Sequence, residues 1–160
     1  MATEKQRFRT LMGRFVTGVT VIATRSDGGV CAMTANAITA VSLDPLILLV
    51  CIRNESRLLP RLLAERNFSV NILAAEQHDI SRHYGGRAAC TSPARWATGQ
   101  LGVPLLSGAN ASFVCAVDRD HRVGDHTVIY GAVNGMQAAD TAAPALVFAA
   151  GKYAQLNLTL

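Results

Sequence analysis

The sequence predicts a mainly β protein, an antiparallel barrel with a few flanking helices. Three observations carry that prediction. Apolar, β-branched runs of strand length follow one another through turn-forming residues, as at "SDGG" (Ser26–Gly29), Asp44-Pro45 and "VGD" (Val123–Asp125). Helical spacing interrupts them only near the start, after Asn54 and near Ala75–Tyr84. Strands that arrive as hairpins, with so few helices between them, suit an antiparallel barrel better than a doubly wound parallel sheet.

Taken in order, Phe8, Leu11, Met12 and Phe15 recur at i, i+3, i+4 and i+7, which predicts a short amphipathic helix ended by Gly18. "GVTVIAT" follows as a strand. Asp27 and Gly28 are expected to supply the positive φ of a hairpin turn. The next strand runs into "CAMTANAITAVSLDP" (Cys31–Pro45), where Thr34, Asn36, Thr39 and Ser42 crowd an otherwise aliphatic region. "LILLVCI" (Leu46–Ile52) reads as a buried strand. "NESRLLPRLLAERN" reads as a helix capped by Ser56 or Asn54, with Pro60 tolerable only near its first turn. In "FSVNILA", Phe68, Val70 and Ile72 face one way while Ser69 and Asn71 face the other. The stretch "GGRAACTSPARWATGQLGVP" reads as a long loop, a length more often functional than idle. "ASFVCAVDRDH", "HTVIYGAVNGMQ" and "ALVFAA" complete the strands.

With 160 residues, 50% hydrophobic and 16% charged, the chain suits one domain spanning residues 1–160 with its own core. So little charge points to a surface covered by a second copy, hence a homodimer. The net charge of +4 is spread along the chain with no Lys/Arg run, which argues against nucleic-acid binding and leaves anionic small molecules open. "MATEKQRF" has no secretory pattern, and "LILLVCI" is too short to span a bilayer, so a cytoplasmic protein off the membrane is expected. Cys31, Cys51, Cys90 and Cys115 are widely spaced with no CxxC pair, and read as buried free thiols rather than a disulfide framework or metal site.

Several chemistries are absent: no GxGxxG after a strand, no phosphate-binding P-loop, no GxSxG elbow. His78 and His83 stand at i, i+5 and read as surface histidines. Other polar residues leave two readings open. Thr34, Asn36 and Ser42 either close a turn or hold a polar ligand. Arg53 and Arg57 are solvated charges or anion ligands, Asn71 satisfies barrel backbone or touches a ligand, and His126 caps a hairpin or serves a site.

Four segments resemble, in order and spacing, the short-chain flavin reductases: "FRTLMGRFVTGVTVIAT", "MTANAITAVSLDPLILLVCI", "FSVNILAAEQ" and "VGDHTVIYGAV". These are the reductase components of two-component flavin-dependent monooxygenases. The resemblance runs from Phe8 to about Tyr153. It implies an FMN-binding type of split barrel, a homodimer, and hydride transfer from NADH or NADPH to FAD or FMN for a separate monooxygenase. It places Thr34, Ala35, Asn36 and Ala37 along the isoalloxazine ring, with Val41 and Ser42 near the ribityl chain. It gives the phosphates to "CIRNESR", through Arg53, Ser56 and Arg57, with Cys51 and Asn54 in the same binding set. Asn71, Tyr84 and Tyr153 follow as further cofactor contacts. His126 in "GDH" falls beside the nicotinamide, as the residue that orients it, and no metal is implied.

The resemblance departs at two places. Relatives often end in an aromatic-X-Arg-Gly-X-Tyr pattern, and here "FAAGKY" puts Ala150 at the arginine position, with Lys152 nearby. The segment "CTSPARW" lacks the usual acidic-lysine-aromatic motif, with Trp96 at the aromatic place. The alternative is a module on the same barrel that stores or senses flavin without catalysis. A split-barrel oxidase of a pyridoxal compound ranks last, because the Arg/Lys clusters for its phosphate are missing.

Overall fold

The near-continuous apolar run of "VTVIATR" makes sense only if both faces of its strand are covered, and the fold covers both. In the computed structural model, which describes residues 2–86, 94–141 and 143–156, Ile22 points into one core with Val50, Ile52, Leu62, Phe68, Val70, Cys115 and Ile129. Val19 and Val21, on the opposite face, join Leu73, Ile80, Leu106 and Leu146 in a second core.

A capping box formed by Thr3 and Gln6 starts α1 (Glu4–Met12), which Gly13 terminates. The chain then forms β1 (Thr17–Gly18), β2 (Thr20–Ser26), β3 (Gly29–Ala35), β4 (Ile38–Leu43) and β5 (Leu46–Arg53). Next come α2 (Leu58–Glu65), β6 (Asn67–Ile72), a short 3-10 turn and α3 (His78–Tyr84). The remaining strands are β7 (Trp96–Thr98), β8 (Pro104–Leu106), β9 (Ala111–Val123), β10 (His126–Ala138), β11 (Ala145–Ala149) and β12 (Lys152–Leu156). Seven strands form one antiparallel sheet in the order β3-β2-β6-β9-β10-β5-β4. Its end strands, β3 and β4, are consecutive in the chain and joined only by Asn36 and Ala37. The barrel is therefore split where those two edges part.

Four expectations need correction. The first helix stops at Met12, well before Gly18, and none of its residues is buried; Phe8 is 67% and Phe15 70% exposed. In the β2–β3 hairpin the positive φ falls on Gly29 (128°), not on Asp27 or Gly28. The supposed loop after Gly85 contains a hairpin, β7–β8, whose three-residue strands carry no readable alternation. β12 pairs with β11 where no strand was expected. The alternation of β6 holds, and its polar face is closed off, with Ser69 and Asn71 both 0% accessible. Pro60 does sit in the first turn of α2. Cys31, Cys51 and Cys115 are free, with Cys115 buried and the other two partly so; Cys90 lies outside the described residues.

Candidate functional site

The seam that splits the barrel opens into a cleft. A cavity of about 330 Å³ is lined by Met33 to Ala37 at the end of β3, by Cys51 and Arg53 on β5, by Tyr84 and Gly85, and by His126. A second space of about 270 Å³ shares Thr34, Ala35, Asn36, Arg53 and Gly85 and extends to Ser81, Phe148 and Tyr153. A third, of about 760 Å³, lies between α1 and the outer face of β4–β5 and shares Asn36, Ala37, Cys51 and Arg53. These spaces form one continuous groove with Asn36 and Arg53 at its centre.

Local chemistry explains its shape. As the end strand of the sheet, β3 has one backbone edge without a strand partner, and edge N–H and C=O groups are free for a ligand. Ala35 and Ala37 keep side-chain bulk out of the groove. The Thr34 hydroxyl donates to the Ser81 carbonyl (2.6 Å), tying β3 to α3. Ser81 Oγ and Tyr153 Oη lie 2.8 Å apart, tying α3 to β12. The Asn36 amide donates to Thr17 Oγ1 (3.1 Å). Trp96 donates from Nε1 to Tyr84 Oη (3.3 Å).

On the far wall, β10 pairs with β5 so that His126 stands opposite Arg53. Nδ1 of His126 lies 2.8 Å from Oδ1 of Asp125. The hydrogen bond from His126, and then its charge, hold the Asp125 carboxyl below the usual carboxylate range. Burial pushes the thiols of Cys51 and Cys31 up, and that of Cys115 up to about 12. Cys51 in the groove is thus a neutral, weakly polar wall rather than a nucleophile. Among the described residues no group of three His, Cys, Asp or Glu side chains stands close enough to hold a metal ion.

Nine of the sequence-predicted residues line the groove: Thr34, Ala35, Asn36, Ala37, Cys51, Arg53, Tyr84, His126 and Tyr153. The others do not. Val41 sits at a register shift in β4 and is 47% exposed. Ser42 accepts the Asp44 N–H (3.2 Å) and so closes the β4–β5 turn. Asn54 donates from Nδ2 to the Gly124 carbonyl (3.1 Å) and accepts from Thr127 Oγ1 (2.8 Å), which fixes the turn before His126. Ser56 accepts the Leu58 N–H (3.1 Å), and Arg57 is the N-cap residue of α2 with no side-chain capping bond. Asn71 is sealed inside the fold: Nδ2 donates to the Val21 carbonyl and Ser69 Oγ, and Oδ1 accepts from Leu106 N and Ser112 Oγ. It satisfies the barrel rather than the groove. Ser81, Gly85 and Phe148 line the groove without having been expected, because only the packing of α3 and β11 brings them there. The Gly85 that ends α3 was the one local signal.

Residues 12–157 match the family described as flavin reductase like domain. This chain belongs to that family. An NADH-dependent flavin reductase of Rhodococcus sp is 36% identical over 153 residues, covering 94% of this chain and 85% of the relative. The reductase subunit HsaB of a flavin-dependent monooxygenase from Rhodococcus jostii is 34% identical, covering 95% and 78%. The solved structure of the flavin reductase PheA2 superposes with a TM-score of 0.92 at 34% identity, covering 98% of this chain and 100% of that one. For a member of the flavin reductase-like family, a groove at the barrel seam with an unpartnered strand edge and small side chains fits a flat flavin ring.

Proposed function

We propose that this protein is an NADH-dependent flavin reductase that passes hydride to FAD or FMN and supplies reduced flavin to a separate monooxygenase component. The observation that carries the reading is the seam groove, where the β3 edge faces Arg53 and His126. A bound flavin supplies the hydride acceptor and the reduced nicotinamide supplies the donor.

The chain's residues position the two. Ala35 and Ala37 let the ring approach the backbone, while Asn36 and the β3 edge hold its polar side. Arg53, at the centre of the groove, would supply a charge-assisted donor to the phosphate of the flavin side chain. Ser56 and Arg57, at the head of α2, extend a path for phosphate along the surface. His126 orients the nicotinamide over the ring; hydride transfer needs no general base, so orientation is its contribution.

The site is completed by a second copy of the chain. Phe8, Leu11, Met12, Phe15 and Val16 form an exposed apolar face on and after α1. The same region walls the 760 Å³ space, so a subunit covering it also closes the groove. No helix among the described residues is long and apolar enough to cross a membrane. Three free thiols agree with a cytoplasmic setting.

Steady-state oxidation of NADH and NADPH with FAD, FMN and riboflavin tests the activity, with NADH and at least one flavin expected to turn over. Tight flavin binding without turnover would leave a storage or sensing module instead. Light scattering tests the assembly, and a particle of 17.0 kDa would refute the homodimer.

A further inference from the structure

We propose that Asp125 and Asn54 are positioning residues that hold the imidazole of His126 in its Nδ1–H tautomer, leaving Nε2 as an acceptor for the amide N–H of the nicotinamide carboxamide. This rests on the reading that His126 lies over the nicotinamide. An ionised carboxylate can only accept, so a contact of 2.8 Å between Asp125 Oδ1 and His126 Nδ1 requires the proton on Nδ1. In a neutral imidazole the other nitrogen is then a lone pair, and its partner on one side decides what it offers on the other. His126 lines the groove, so Nε2 is the nitrogen left for a ligand.

The carboxylate alone, 79% exposed, would hold the ring loosely. The turn beneath it is what fixes the pair. Asn54 donates its backbone N–H to the Asp125 carbonyl (3.0 Å) and its side-chain N–H to the Gly124 carbonyl (3.1 Å). Its side-chain oxygen accepts from Thr127 Oγ1 (2.8 Å). One asparagine thus grips the chain on both sides of His126. Gly124, at φ 58°, supplies the left-handed conformation that aims Asp125 back at the ring. Charged groups around the pair include Arg53 across one ladder, Arg122 opposite the neighbouring Thr127 on the other, and Lys5, which acts on Asp125.

The chemical consequence is selectivity between the two ends of the carboxamide. An acceptor at Nε2 recognises the amide N–H, whereas an Nε2–H would recognise the carbonyl. Reduced 3-acetylpyridine adenine dinucleotide keeps the carbonyl and lacks the amide, so it separates the two cases.

Nitrogen-edited NMR of the whole protein, above the ordinary histidine titration range, reads the tautomer directly, with His126→Gln assigning the signal. The wild type is expected to show Nδ1–H. In Asp125→Asn the side-chain amide can donate to Nδ1, which should move the signal toward Nε2–H. That variant should raise KM for NADH about tenfold, the scale of one lost hydrogen bond, and lose the preference for NADH over the acetylpyridine analogue. Flavin affinity, read by fluorescence titration, should stay within about twofold. Asn54→Ala should move the same readouts less. An Nε2–H signal in the wild type, or an Asp125→Asn enzyme that keeps its KM and its preference, overturns the inference. Absence of any flavin-dependent NADH oxidation would strike the functional reading instead, while the tautomer is still read from the spectrum.

Discussion

Two asparagines in similar sequence surroundings end in opposite situations. Asn71 lies in the closed wall β2–β6–β9, is fully buried, and makes four hydrogen bonds. Asn36 lies at the open seam between β3 and β4, is exposed, and donates to Thr17 from a position lining all three parts of the groove. The difference lies in the neighbours, since a closed sheet uses up a polar group and a split one leaves capacity for a ligand. Polarity within a strand therefore marks a binding site only where the backbone edge is also free.

The sharpest way to break this comparison is Asn71→Leu, which keeps the number of heavy atoms and removes the polar contacts. The Leu106 N–H, the Ser112 hydroxyl and the Val21 carbonyl would lose their partner in a buried place. Three unsatisfied groups at roughly 1–3 kcal/mol each, partly relieved by local rearrangement, should show in urea denaturation as a loss of about 3–5 kcal/mol, the upper end of single-substitution effects. Flavin affinity of the protein that remains folded should not change. A loss under about 1 kcal/mol would mean that the wall can rehydrate, and the contrast with the seam would fail.

Next in size is Gly131→Ala on β10. A Cβ there would stand 2.6 Å from Phe68 Cζ and 3.0 Å from Cys115 Cβ. The closed barrel has no slack on that side, so overpacking should destabilise by about 1–3 kcal/mol. The thermal midpoint reads it, and unchanged flavin-dependent turnover below the midpoint would show that the strain stays in the wall.

The seam should answer differently. Asn36→Ala removes one exposed contact, and stability should shift by no more than about 0.5 kcal/mol. Flavin binding should weaken by about 1–2 kcal/mol, roughly five- to thirtyfold, the scale of a hydrogen bond left unmade. Fluorescence titration beside a melting curve measures both quantities. Equal flavin affinity in the variant would remove Asn36 from the site.

The same contrast explains what the sequence could and could not say. The barrel was legible because hairpin turns and two-residue periodicity are local, and the groove because small and polar residues crowd Thr34 to Ala37. The fate of Asn71 was not legible, since β8, which buries it, arrives 35 residues later through Leu106. The bulge at Val41 was not legible either, because the register shift between Ala40 and Ser42 appears only in the pairing of β4 with β5. The apolar periodicity of Phe8, Leu11 and Met12 marks one face, but within a single chain none of its residues is buried. Ser81 and Tyr153 meet across 72 residues, and no window along the chain contains that contact.

The smallest expected effect concerns the hairpin that borders the seam. Ala150 and Gly151 both have positive φ, 48° and 78°, in the turn between β11 and β12. Such a pair suits Asn-Gly or Gly-Gly, and alanine is a poor first member. Left-handed backbone costs an L residue about 1–2 kcal/mol, and glycine gives back about 0.5–1 kcal/mol through the freedom of the unfolded chain. Ala150→Gly should therefore stabilise by about 0.5–1 kcal/mol. The Ala150 N–H that donates to the Gly13 carbonyl (2.7 Å) is kept. Ala150→Arg retains the left-handed cost and should leave the melting temperature where it is, which separates backbone from side chain. Strain tolerated beside Phe148 and Tyr153 would fit a seam that is not optimised for stability. If Ala150→Gly lowers the melting temperature, the turn is not strained, and the seam is as tightly determined as the wall.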